Sequence, residues 1–223
     1  MRGKMQRLMT VVLALVLCAT VILSACSTAW ISQAEEIVAA LIPAAANIVA
    51  LVAALQGGNV SAQDLQAIQT AGTQATADLQ LLQSLIAEYE KADAQAQPGI
   101  LNQIQTAIET AQSNLSAILP TLHIKDAATQ AKITAVVGVV LSEVQSLAAI
   151  VPLVNPQASA AMVHVAERQA TKQPPLTANE FVSSYNATMT AKTGNPALDQ
   201  ATSGLRIHAH GKLSRWATGG VLK

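Results

Sequence analysis

The sequence predicts an all-α protein: an elongated antiparallel four-helix bundle with a partly helical, basic C-terminal extension. Three observations carry that prediction. Aromatic residues are only 2% of the 223, so a core has to be assembled from Ala, Leu, Ile and Val. Such a core suits closely packed helices better than strands, which favour aromatic and β-branched side chains. Between residues 32 and 152, four stretches repeat apolar side chains every three or four positions, the period of one helix face. Short breaks of Gly, Pro and small polar residues separate them, as an up-down-up-down bundle requires.

Taken in order, Ser32 and Glu35 have the spacing of a capping box, each satisfying the other's orphan backbone donor. The helix they would open carries Ile37, Leu41, Ala44, Ile48, Leu51 and Leu55 on one seam and stops at Gly57-Gly58. Pro43 within it kinks the helix or frees one hydrogen bond. Ser61 and Asp64 open a second helix whose seam runs Leu65, Ile68, Gly72, Ala75, Leu79, Leu82, Ile86 and Tyr89. Gly72 and Ala75 there would let a neighbouring backbone come close. A loop around Ala92–Pro98 leads to a third helix with Ile104, Ile108, Ala111, Leu115 and Ile118 inward and Pro120 as the stop. Asp126 caps a fourth, with Ile133, Val137, Val140, Val144, Leu147 and Val151 inward and Pro152 beyond. Sustained 3-4 alternation predicts left-handed packing at about 20°. At 1.5 Å per residue the bundle would be about 35–45 Å long.

Charge divides the chain. Residues 27–160 hold ten acids and three bases, whereas residues 161–223 hold three acids and seven bases. The organisation that follows is 32–152 as bundle, 153–176 as linker, and 177–223 as a small helical and basic tail. In that tail Thr177 and Glu180 form another capping box, opening a helix with Phe181, Val182, Tyr185 and Met189 on one side. That face docks on the bundle or on a partner. Asn195-Pro196 begins a shorter helical turn, and Arg206, Lys212, Arg215 and Lys223 surround Trp216 at the end.

The first 25 residues have the layout of a secretory signal: Arg2, Lys4 and Arg7, then an apolar run from Leu8 to Leu23, then Ser24 and Ala25. Leu23-Ser24-Ala25-Cys26 resembles the lipobox of bacterial lipoproteins, in which an aliphatic residue and two small ones precede a cysteine. The resemblance covers residues 1–26 only. It implies that Cys26 receives a diacylglycerol, becomes the first residue of the mature chain and is often acylated again at its amino end. One acyl chain anchors only marginally, at about 0.8 kcal/mol per buried methylene, whereas two or three hold firmly. Ordinary cleavage after Ala29 and an uncleaved anchor are the alternatives. Residues 26–31 would then form a short tether. Ser27 in place of aspartate resembles an outer-membrane destination, facing the periplasm if the organism has two membranes.

Ile37–Leu55 is nineteen residues without a charge, about 28 Å of helix and close to a bilayer span. Pro43 and Asn47 oppose insertion, and burial by the other three helices is the simpler reading. Insertion is the alternative.

Motifs for chemistry are sparse. His208 and His210 share a face if that stretch is extended, but two imidazoles without a third ligand are a weak metal site. No Gly-x-Ser-x-Gly elbow and no Gly-rich phosphate loop occurs. The expectation is therefore a non-enzymatic structural or binding module of the cell envelope, without a cofactor. Its partners would be the membrane through Cys26, and an envelope protein or anionic surface through the basic C-terminus. Nucleic acid is not expected, given export and a C-terminal excess of only four positive charges.

Overall fold

The computed structural model describes residues 29–54, 60–152 and 177–208, and among these all regular structure is helical. The helices are α1 (Ala29–Ala54), α2 (Ala62–Lys91), α3 (Gln97–Ile118), α4 (Ala127–Ile150), α5 (Ala178–Thr190) and α6 (Pro196–Ser203), with a 3-10 turn at Leu119–Thr121. The Gly57-Gly58 stop, the 153–176 linker and the end of the basic tail lie outside the described residues.

Local chemistry sets most of the helix ends. The Ser61 hydroxyl accepts from the Asp64 amide at 3.1 Å, and the Asp126 carboxylate accepts from the Thr129 amide at 2.9 Å. Thr177 and Glu180 make both halves of their capping box. Asp93 accepts from the amides of Gln95 and Ala96, which turns the chain between α2 and α3, and Pro98 sits in the first turn of α3 where its missing N–H costs nothing.

The start of α1 differs from the sequence expectation. The helix begins at Ala29, so Ser32 lies inside the first turn, exposed, and the Ser32–Glu35 capping box does not form. Packing explains the difference: Trp30 and Ile31 are buried, and the Trp30 ring meets Tyr89 edge-on at 5.2 Å. Burying those two side chains in one extra turn is worth more than the roughly 1 kcal/mol of a serine cap. Glu35 is left half-buried, and burial followed by the nearby charge of Glu90 pushes its carboxyl up.

The predicted seams point inward. Ile37, Leu41, Ala44, Ile48 and Leu51 of α1, Ile104, Ala111, Leu115 and Ile118 of α3, and Ile133, Val137, Val140, Val144 and Leu147 of α4 are all fully buried. Each of the first four helices packs against two others in a ring, α1 on α2 and α4, and α3 on α2 and α4. Helices α1 and α2 run antiparallel, since Trp30 meets Tyr89 and Val49 meets Gly72. Helix α5 then lies over α1 and α4. Its Phe181 and Tyr185 are the two largest fully buried side chains, so residues 178–190 share the core of α1–α4.

At Gly72 the backbones of α1 and α2 come close enough that a Cβ would collide with Val49 Cγ2. Val is stiff at χ1 in a helix and cannot swing aside cheaply. Gly72→Ala should therefore lower the melting temperature, because overpacking at about 1–3 kcal/mol outweighs the roughly 1 kcal/mol gain in helix propensity. In a Val49→Ala background the same substitution should raise it. Thermal unfolding of the four proteins of this cycle checks the reversal of sign.

Candidate functional site

Two charged side chains are buried among the described residues, Lys132 and Glu143, and both belong to α4. Eleven residues is three helical turns, so they share a face about 16 Å apart along the axis. Helix α5 runs antiparallel along that face in matching register. The Lys132 ammonium donates to the Ala191 carbonyl at 2.6 Å, and eleven residues earlier the charge of Glu180 acts on Glu143.

The two ends of this contact differ in electrostatics. Lys132 keeps a hydrogen bond, and although burial pulls its pKa down, the nearby Asp199 carboxylate pushes it back up. Glu143 is 0% exposed, and neither carboxylate oxygen has a hydrogen-bond partner among the described residues. Burial, reinforced by Glu180, pushes its pKa up to about 7. An ionised carboxylate without partners in an aliphatic interior is costly, so the group holds its proton instead. The Tyr185 hydroxyl, buried and also without a partner of good geometry, is pushed up to about 12, with Asn47 opposing the rise.

Two asparagine amides close the C-terminal side. Asn47 of α1 donates to the Leu205 carbonyl at 2.8 Å. Asn186 of α5 both donates to the Ile207 carbonyl at 2.7 Å and accepts from its amide at 2.9 Å. A side-chain amide with one donor edge and one acceptor edge pairs with the backbone as a neighbouring strand would, which ties Ile207 to α5 with its side chain inward. Asn47, a mark against membrane insertion in the sequence, here ties the end of the chain to α1.

What this arrangement can do chemically is hold or release a proton at Glu143 beneath α5. Two open surface depressions, of about 460 and 450 Å³, lie elsewhere. One is lined by Gln63, Gln66, Thr70, Gln74 and Asn114, and the other by Asn179, Ser183, Asn186, Arg206 and His208. Cys26 and His210 lie outside the described residues, whereas His208 is exposed at the rim of the second depression. Among the described residues no group of three His, Cys, Asp or Glu side chains converges as a metal site. His123 is far from His208 in sequence and instead sits 3.6 Å from Asp64.

The 3-4 spacing of α4 points to Ile133, Val137, Val140 and Val144 and singles out neither Glu143, which adjoins that seam, nor Lys132. The available signal was the spacing: two opposite charges three turns apart on a helix otherwise free of charge. No family model, no curated protein and no solved structure matches the chain.

A carboxyl whose folded pKa lies above its ordinary 4.5 makes folding less favourable as pH rises. Its full stability is present below about pH 4.5 and is lost as pH climbs through about 7. Glu143→Gln, which keeps the shape of the protonated acid, should raise unfolding free energy above pH 7 by on the order of 2–3 kcal/mol and leave it nearly unchanged below pH 4.5. Denaturant titrations across that range measure the difference, and a pH-independent offset would contradict the assignment.

Proposed function

We propose that the chain is a lipid-anchored protein of the bacterial cell envelope whose helical bundle serves as a non-enzymatic structural or binding module. The observation that carries this reading is Leu23-Ser24-Ala25-Cys26, after a basic start and an apolar run, three residues ahead of the first residue of α1. At no more than ~3.5 Å per residue, the spacer reaches only about 10 Å. A lipid on Cys26 would hold the Trp30–Tyr89 end of the bundle against the membrane. Ser27 favours the outer membrane, facing the periplasm, in a cell with two membranes. The basic residues Lys212, Arg215 and Lys223 with Trp216 favour an additional contact with an anionic surface or an envelope protein.

One observation favours a second reading, in which an apolar helix leaves the bundle and inserts. Trp30–Ala53 and Ala127–Ile150 are each long and apolar enough to cross a membrane, although about half of each is covered by neighbouring helices. Core helices of globular bundles meet the same test, and the full burial of Ile37, Leu41, Ile48 and Leu51 supports the first reading.

Cys26→Ala separates the two. The lipid-anchor reading expects the variant to leave the membrane fraction and appear soluble after carbonate washing, as assayed by fractionation and intact-mass measurement. Continued firm attachment would make an apolar helix the anchor. Deleting residues 209–223, which leaves the Asn186 contact with Ile207 in place, should reduce binding of the delipidated protein to vesicles containing about one-third anionic lipid. Cosedimentation at low and high salt measures that loss, and unchanged binding would remove the basic tail from the proposal.

A further inference from the structure

We propose that α5 is a latch, docked on α1 and α4 while Glu143 is protonated and released when Glu143 ionises. The geometry supports this independently of lipid attachment. Lys132 and Glu143 are the two buried charged side chains among the described residues, and α5 runs along the α4 face that carries both. One end is fastened by the Lys132 ammonium on the Ala191 carbonyl. The other closes over a carboxyl to which no described residue offers a hydrogen bond.

The groups that could compensate a charge on Glu143 are few on every helix packed against α4. Helix α1 has no charged side chain from Ile37 to Ala54, and its Asn47 amide is committed to Leu205. Helix α3 carries only Glu109, which is exposed. Helix α5 contributes Glu180, a like charge, and the hydroxyl of Tyr185, which stays neutral. Asp199 of α6 acts on Lys132 and supports that end. Among the described residues an ionised Glu143 therefore meets repulsion and desolvation with no opposing cation, and the cheapest relief is to admit water by lifting α5.

Release is confined to α5 by the way the rest is built. The ring of α1–α4 has its own seams, while α5 adds one helix of thirteen residues held by one apolar face, one ammonium and, through Ile207, the Asn186 amide. The sign follows from proton binding. Released Glu143 titrates in the ordinary carboxyl range near 4.5, whereas docked Glu143 holds its proton to about 7. Between those limits the docking equilibrium should fall about tenfold per pH unit, a total of two to three orders of magnitude. Lifting α5 would uncover Phe181, Val182, Tyr185 and Met189 on one side and the α1/α4 groove on the other.

Hydrogen exchange on the full chain in detergent micelles, corrected for intrinsic rates, tests the latch at about pH 5 and about pH 8. The expected result is a loss of roughly seventyfold in protection across residues 178–190 at the higher pH, while α2 and α3 keep theirs. In Glu143→Gln, protection of α5 should be the same at both values. Glu143→Met, an apolar side chain of similar length, gives a second route to the same result if the glutamine variant folds poorly. Equal protection of wild-type α5 at both pH values would overturn the latch. So would a pH-dependent loss that persists in both variants, or a loss shared equally by all helices.

Discussion

From Ile37 to Ala54, α1 carries no charged side chain, and the rest of the structure is arranged to take it out of water. A helix that is apolar on more than one side needs neighbours on more than one side. Helices α2 and α4 supply two of them and α5 the third. With so few aromatic residues, each neighbour has to come close to fill space with small side chains. Close approach is what Gly72 and Ala75 permit against α1. Helix α5 adds Phe181 and Tyr185, the two largest fully buried side chains. Two of the five aromatic residues of the chain are thus spent on one interface.

That interface also concentrates the polar exceptions. Buried charge in a small aliphatic core is expensive, and one accessible way to tolerate it is to keep the group neutral or give it a single strong partner. Lys132 follows the second course and Glu143 the first. Both are on α4, and α5 is the helix that runs over them. The stability of the α5 contact is therefore tied to proton concentration through a fully buried carboxyl, whereas in the α1–α2 contact the shifted group, Glu35 beside Glu90, is only half-buried. No buried charge was found between α1, α2 and α3 among the described residues.

Much of the architecture could be read directly from spacing. Ile68-Ala75-Leu79-Leu82-Ile86 on α2 and Ile104-Ile108-Ala111-Leu115 on α3 identify their own buried faces, because Gln, Thr, Ser, Asn and charged residues occupy most of the rest of those helices. Ser61, Asp126 and Thr177 announce helix starts through short-range hydrogen bonds that need no tertiary context. Ser32 failed for the converse reason: the same local signal competed with burial of Trp30 and Ile31, and packing won. Glu143 was illegible because its position, one residue before the seam residue Val144, is exposed in a four-helix bundle and buried once a fifth helix covers it. The role of Asn47 likewise depends on Leu205, 158 residues away, and no local pattern encodes such a partner.

Every chain is made from its amino end, and α5 follows the four ring helices in that order. Until residues 178–190 are available, the α1/α4 groove lacks the helix that covers it in the folded chain, and Glu143 lacks the burial under α5 that raises its pKa. The nascent bundle thus passes through a stage that is stickier and more strongly charged on one side than the finished protein. If α5 is the latch proposed above, closing it covers the apolar strip and favours a protonated Glu143 in the same event. On that proposal, maturation of this fold is coupled to the acidity of the compartment in which the last helix arrives.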